Sequence, residues 1–281
     1  VETVSPDAER HYAAVVRGAD RLVVGLDFDG TLAPIVEDPE QARIHPRGRE
    51  VLLRLAEAVR GVAVVTGRPA RQVLALGGLD EIGDELGGRG RDLYVLGQYG
   101  NERWSSHERR VITPKPPRGL ATLSSELPGI LRRADAAEAW VEEKGLALGI
   151  HTRRLPDPDA ALERLREPVG EAARRHDLVV EPGRMVLEVR AGGMDKGAAV
   201  HRLAEELDAG AFCFVGDDLG DVEAFKAVGD LRADGVVGLL VASGSREESA
   251  LVDLADVVVA GPDGVMDFLD ALVDDVRALR A

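Results

Sequence analysis

Short apolar runs alternate along the chain with stretches whose apolar residues recur every three or four positions. Residues 22–26, LVVGL, form the first run, continuous in the manner of a strand buried on both faces of a parallel sheet. A helix is predicted before it, since Ser5-Pro6 is a start signal with Pro at the first helical position and the pattern lasts to about Gly18. After a loop carrying Pro34 and Pro39, Pro46 opens a second helix whose buried face is marked by Val51, Leu52, Leu55 and Val59. Residues 61–65 are a second strand, ended by Thr66, Gly67 and Arg68 and followed by helix after Pro69. Residues 93–96 are a third, and GQYGNERW (97–104) turns the chain.

The texture then changes. Residues 105–118 are polar and Pro-rich, which predicts a linker or an edge strand. A helix follows over about 118–134, interrupted or ended near Pro128. Two short strands, AWVEEKG and LALGIHTR, turn at Gly145; a helix covers about 157–176; two more strands, DLVVE and RMVLEVR, complete the stretch. Helix, hairpin, helix, hairpin predicts a small α+β domain on an antiparallel sheet, over 105–190. After Ala191-Gly192-Gly193 the first pattern returns. It gives a helix from Asp195 to about Leu207, the strand AFCFVG, a helix from Asp218 to Val228, strands near GVVGLLVA and ADVVVA, and a last amphipathic helix over 263–279. The fold class is α/β: a Rossmann-like parallel-sheet core from 1–104 and 191–281, with an inserted α+β cap domain over 105–190.

Composition narrows the chemistry. Of 281 residues 45% are hydrophobic but only 4% aromatic, so the core must be built from Val, Leu and Ala. The net charge of −15, without a basic block, excludes nucleic acid as an expected partner. The same field repels anionic substrates at long range, so any phosphate chemistry must use local cations. Cys213, the only cysteine, lies in AFCFVG and reads as core, and no intrachain disulfide can form. No apolar stretch has the length of a membrane span and the N-terminus carries no secretory pattern, so a cytoplasmic protein without membrane attachment is expected.

Candidate chemistry sits at predicted strand ends, where open α/β sheets place their ligands. Asp27 and Asp29, ahead of Gly30 and Thr31, crowd two carboxylates that need a cation or a shared proton, and such oxygen ligands suit Mg2+. An ordinary acidic turn has the same residues. Thr66-Gly67 before a helix offers an anion site, although strand-Thr-Gly-turn is common. Lys196 starts a helix, where a solvated lysine is equally ordinary. Asp217, Asp218 and Asp221 form an acidic cluster that a helix N-terminus favours in any case. Strand ends of a parallel sheet converge on one edge, so the predicted site gathers Asp27, Asp29, Thr66, Lys196 and Asp217. There Asp27 can attack phosphorus and Asp29 can serve as general acid and then base. Thr66 and Lys196 can bind phosphate oxygens. Mg2+ is expected on Asp27, Asp29 and Asp217, supported by Asp218 and Asp221.

In this order DFDGT, VVTGR, DKG and GDD resemble the four motifs of the haloacid dehalogenase superfamily of phosphohydrolases. The short interval from Asp29 to Thr66 leaves no room for a large cap, whereas the long one from Thr66 to Lys196 holds the inserted domain. That arrangement is similar to members whose α+β cap lies between the second and third motifs. Within the insert, Glu142 and Lys144 share one strand face, and His151 and Arg153 share a face of the next. Such a patch suits a hydroxyl-rich substrate, or equally is an exposed face with cross-strand ion pairs. VEEKGLALGIHTR, with MVLEVR and DKG downstream, resembles the trehalose-6-phosphate phosphatases. That resemblance implies sugar contacts by Glu142, Lys144, His151, Arg153 and Glu188. Arg68 is expected either at the substrate or against a core acid.

The activity implied is Mg2+-dependent hydrolysis of trehalose 6-phosphate through an aspartyl-phosphate, in trehalose biosynthesis, by a monomeric enzyme with a small sugar phosphate as its partner. Alternatives are another sugar phosphate, such as sucrose 6-phosphate or a glycosyl phosphoglycerate, a phosphotransferase, or a non-catalytic phosphosugar sensor. The intact Asp27 and Asp29 oppose the last. Two departures stand out: Tyr99 where many relatives have His, and Gly220 where Thr is expected.

Overall fold

A computed structural model describes residues 3–183, 185–193, 195–244 and 251–281. It divides into two units, Val1–Thr113 with Asp195–Ala281, and Pro114–Met194. The first is built on the apolar runs. In chain order its elements are α1 (Pro6–Arg17), β1 (Leu22–Leu26), α2 (Gly48–Ala58), β2 (Gly61–Val65), α3 (Ala70–Gly77), α4 (Leu79–Gly87), β3 (Leu93–Gly97) and β4 (Glu102–Ser105). The second unit supplies α5 (Arg118–Arg133), β5 (Trp140–Glu143), β6 (Ala147–His151), α6 (Pro158–Arg175), β7 (Leu178–Gly183) and β8 (Val186–Ala191). The first unit then resumes with α7 (Lys196–Glu206), β9 (Ala211–Gly216), α8 (Val222–Ala233), β10 (Val237–Ser243), β11 (Val257–Val259) and α9 (Gly261–Arg280).

The seven-stranded sheet runs β11-β10-β9-β1-β2-β3-β4, parallel except for β4. Strand β1 is central: the chain winds outward through β2 and β3 on one side, then through β9, β10 and β11 on the other. Its carboxyl end, beside that of β9, is therefore a topological switch point, the crevice where such sheets bind ligands. Both faces of the sheet are covered. Leu22, Val24 and Leu26 pack with residues of α2 and α9, while Val23 packs with those of α7 and α8. Burial on both faces is why these strands read as unbroken apolar runs. Cys213 lies buried within β9.

The second unit is a four-stranded antiparallel sheet, β5-β6-β8-β7, whose one face buries Leu148, Ile150, Leu187 and Val189 against the apolar stripes of α5 and α6. Ser5 caps α1 and Asp157 caps α6, each with Pro following at the helix start.

Several boundaries differ from the pattern. Helix α5 runs through Pro128 without ending there, because Leu120, Leu123, Leu127, Ile130 and Leu131 bury one continuous face that outweighs a missing hydrogen bond. Strand β4 was hidden in a turn-like text, and its buried residues include Glu102 as well as Trp104. Residues 105–113 belong with the first unit: the Ser106 N–H donates to the Leu93 carbonyl at 2.9 Å, and Arg103 and Ile112 exchange backbone hydrogen bonds. Helix α8 begins at Val222, since Asp218 caps a preceding 3-10 turn, Leu219–Asp221. Arg184, in the expected strand RMVLEVR, lies outside the described residues. Among the described residues no helix is long and apolar enough to cross a membrane.

Candidate active site

Three strand ends and one helix start supply the site in the first unit. Asp27 follows β1, Thr66 follows β2, Asp217 follows β9, and Lys196 is the first residue of α7, whose cap is Asp195. The Asp27 N–H donates to the Val215 carbonyl at 2.9 Å, which locks the carboxylate to the sheet edge. Lys196 lies between two acids, with Nζ 2.7 Å from Asp27 Oδ1 and 2.6 Å from Asp221 Oδ1. All three side chains are buried. Asp221 turns its other oxygen to the Asp217 N–H at 3.0 Å, and so braces the loop that presents Asp217.

The carboxylates of Asp27, Asp217 and Asp221 come within 4.8 Å of one another. Two glycines make this approach possible. A Cβ on Gly30 would lie 2.0 Å from Asp217 Oδ2, and Gly30 also holds φ at +71°. A Cβ on Gly216 would lie 2.4 Å from Asp221 Cγ. Behind them, buried Ser243 at the end of β10 donates to the Gly30 carbonyl at 2.6 Å. Ser243 was not anticipated from the sequence; its signal is a hydroxyl ending an apolar parallel strand.

One ammonium cannot neutralise three close carboxylates. Burial, and the neighbouring Asp221 and Asp217, push the Asp27 carboxyl well above its ordinary range although Lys196 opposes this. Burial, then Asp218 and Asp221, raise Asp217 to about 7. Burial raises Asp221 as well. Burial works to lower Lys196, but Asp221 and Asp27 hold its ammonium well above the usual lysine value. An all-oxygen donor set with excess negative charge fits a hard divalent cation such as Mg2+.

The structure brings some of the expected residues together and not others. Asp29 was expected on the metal, but its carboxylate is gripped by Arg68 and stands outside the three-acid cluster. Arg68, expected at the substrate or against an acid, takes the second place. Asp218 is exposed and accepts the Gly220 N–H at 2.8 Å as a cap, so Asp221 alone of the supporting pair reaches the cluster. Thr66 is buried, its hydroxyl accepting the Arg68 N–H at 3.1 Å. Tyr99, held at φ +58°, packs its ring over Gly67, where a Cβ would meet it at 2.8 Å.

In the second unit the strand register aligns Glu142, Gly149, Glu188 and Glu181 across the sheet, on the face away from the helices. Gly149 lets the His151 ring close over this row: a Cβ there would lie 2.9 Å from His151 Nε2. Lys144 Nζ lies 2.5 Å from Glu188 Oε2, and His151 Nε2 lies 2.9 Å from Glu142 Oε2. Trp140 stacks on the His151 ring at 4.6 Å. Glu188 Oε1 is buried and has no hydrogen-bond partner among the described residues. Arg153 was expected to share a face with His151, but β6 ends at His151 and Arg153 is exposed in the following turn.

Comparison with known proteins bears on both units. The family model described as "Trehalose-phosphatase" matches residues 25–84 and 132–257. The chain is 32% identical over 293 residues to "Probable trehalose-phosphate phosphatase 9" of Oryza sativa subsp. japonica, covering 93% of this chain and 72% of that protein. Among solved structures, the C-terminal domain of the trehalose-6-phosphate phosphatase of C. albicans superposes with a TM-score of 0.75 at 19% identity, covering 97% of this chain and 98% of that one. A haloacid dehalogenase-like hydrolase from Bacteroides thetaiotaomicron superposes at 0.64 and 17% identity, covering 90% and 99%.

Proposed function

The chain belongs to the trehalose-phosphatase family, and from that premise we propose that it hydrolyses trehalose 6-phosphate to trehalose and phosphate, with Mg2+ as cofactor and Asp27 as nucleophile. The observation that carries the chemistry is the cluster of Asp27, Asp217 and Asp221 around Lys196 at the switch point of the sheet.

Each residue has a part. An Asp27 oxygen bonds to phosphorus while the bond from phosphorus to the sugar oxygen breaks, giving an aspartyl-phosphate. Asp29 supplies the proton that the sugar oxygen takes, then removes one from the water that cleaves the intermediate. Lys196 aims Asp27 and favours its charged form against the burial that opposes it, and the ammonium with the Thr66 hydroxyl binds oxygens of the transferring group. Asp27, Asp217 and Asp221 are the residues that would hold Mg2+, and the ion supplies positive charge against the phosphate. In the second unit, Glu142, Lys144, His151 and Glu188 are the proposed sugar contacts. The orphaned Glu188 Oε1 supports this, because a buried acceptor without a donor is costly until a ligand hydroxyl supplies one. The enzyme is then a cytoplasmic step of trehalose biosynthesis.

Phosphate release from trehalose 6-phosphate, sucrose 6-phosphate and glucose 6-phosphate, with Mg2+ or with chelator, tests the proposal. Mg2+-dependent turnover strongly favouring the first is expected. Preference for another sugar would keep the core chemistry and overturn the reading of the second unit. Binding without turnover of any would mark a sensor.

A further inference from the structure

The Asp29 carboxylate does not stand alone. Arg68 grips it with two parallel hydrogen bonds, Nε to Oδ2 at 2.6 Å and Nη2 to Oδ1 at 2.7 Å. The third guanidinium nitrogen, Nη1, donates to the Pro39 carbonyl at 2.9 Å. The guanidinium carbon lies 5.9 Å from the centre of the Phe28 ring, one residue before Asp29. The Arg68 backbone N–H donates in turn to the Thr66 hydroxyl. Every nitrogen of the side chain is engaged, and the side chain is only 12% exposed. A guanidinium so committed is poorly placed to bind substrate, whereas a charge-assisted fork of this kind fixes a carboxylate in both position and plane.

We propose that Arg68 is the positioning residue for Asp29: its fork, anchored to the Pro39 carbonyl and the Phe28 ring, sets the place and plane of the acid–base carboxylate. The inference rests on the reading of Asp29 as acid–base group given above. The fork occupies one lone pair on each Asp29 oxygen, and each oxygen keeps a second for the proton it must carry. Lysine cannot do the same work, since an ammonium offers no planar fork. Misplacing a reacting group by about an ångström can cost on the order of 100-fold in rate, so loss of the fork is felt in the proton-transfer step.

The test separates positioning from binding and from folding. A sugar oxygen leaves only when protonated, whereas p-nitrophenolate leaves without help. The constant kcat/KM covers steps up to leaving-group departure, so the later water step does not enter. The ratio of kcat/KM for trehalose 6-phosphate to that for p-nitrophenyl phosphate is measured for wild type, Asp29→Asn, Arg68→Ala and Arg68→Lys, each checked by circular dichroism and thermal melting. The ratio is expected to fall by about 100-fold in Asp29→Asn and about tenfold in Arg68→Ala, with little recovery in Arg68→Lys. A fall in Asp29→Asn alone, with the Arg68 variants lowering both substrates equally, would overturn the inference and leave Asp29 in its role. An unchanged ratio in Asp29→Asn would remove the underlying reading, and the inference with it. Arg68→Lys keeps the test decisive where Arg68→Ala does not fold.

Discussion

At the residue scale, Gly30 decides how closely the carboxylates of the site can stand. Its φ of +71° and the nearness of Asp217 Oδ2 mean that Gly30→Ala must strain the backbone and push the acid away. The left-handed conformation alone costs about 1–2 kcal/mol for a residue with a Cβ. Gly30→Ala is expected to lower the urea midpoint and to weaken Mg2+ binding in calorimetry; an unchanged affinity would separate Asp217 from the metal. Lys196→Met leaves the buried Asp27 and Asp221 without their shared cation. Removing one partner of such a buried cluster costs about 3–5 kcal/mol, read from urea unfolding, and activity should be lost with it. Stability equal to wild type would mean that the carboxylates are neutralised by some other group. Asp27, Thr66 and Asp217 were legible in the sequence because each follows an apolar run, and Lys196 because it starts the helix after the insert. The direction of the Asp29 side chain was not, since nothing in DFDGT tells which neighbour will take it, and Arg68 lies far away in sequence.

Apolar periodicity located the strands and helices, but local chemistry misled at their ends. Turn-rich text, GQYGN, masked β4, because Glu102 is buried not by apolarity but by bonding: one oxygen takes the Ala70 N–H at 2.6 Å, the other the Gln98 amide at 3.1 Å. Proline misled in the other direction. Pro128 lacks the N–H that would bond to the carbonyl four residues earlier, yet α5 continues because its leucine face is already packed. Since Pro128 is exposed, Pro128→Ala restores that bond without touching the core. A gain of about 1–2 kcal/mol is expected after allowing for a freer unfolded chain, seen as a higher melting temperature. A lower one would show that Pro128 sets a bend the unit requires.

For the whole molecule, the order of the motifs carried the most information. Two α/β segments flanking a stretch of different texture predicted a parallel sheet with an inserted antiparallel unit, because the chain must return to the same sheet to complete the site. Residues 105–113 were misassigned for want of a local cue: their tie to the first unit is a bridge between Arg103 and Ile112, not a hydrophobic pattern. Net charge is also a whole-molecule property. With −15 overall, the protein repels a phosphorylated sugar until salt screens the field. Raising ionic strength from about 0.01 M to about 0.15 M shortens the screening length from about 30 Å to about 8 Å. The value of kcat/KM for trehalose 6-phosphate is expected to rise over that range, whereas a steep fall would mean that local cations dominate the approach.

The proposed reaction turns on Asp27 taking the phosphoryl group from the sugar. The most direct measurement is to quench the enzyme during turnover of trehalose 6-phosphate, reduce any acyl-phosphate with borohydride, and map the peptide containing residues 22–31 by mass spectrometry. Conversion of Asp27 to homoserine, absent without substrate, is the expected result. Labelling of Asp29 instead, or full turnover by Asp27→Asn with no labelled residue, would contradict it.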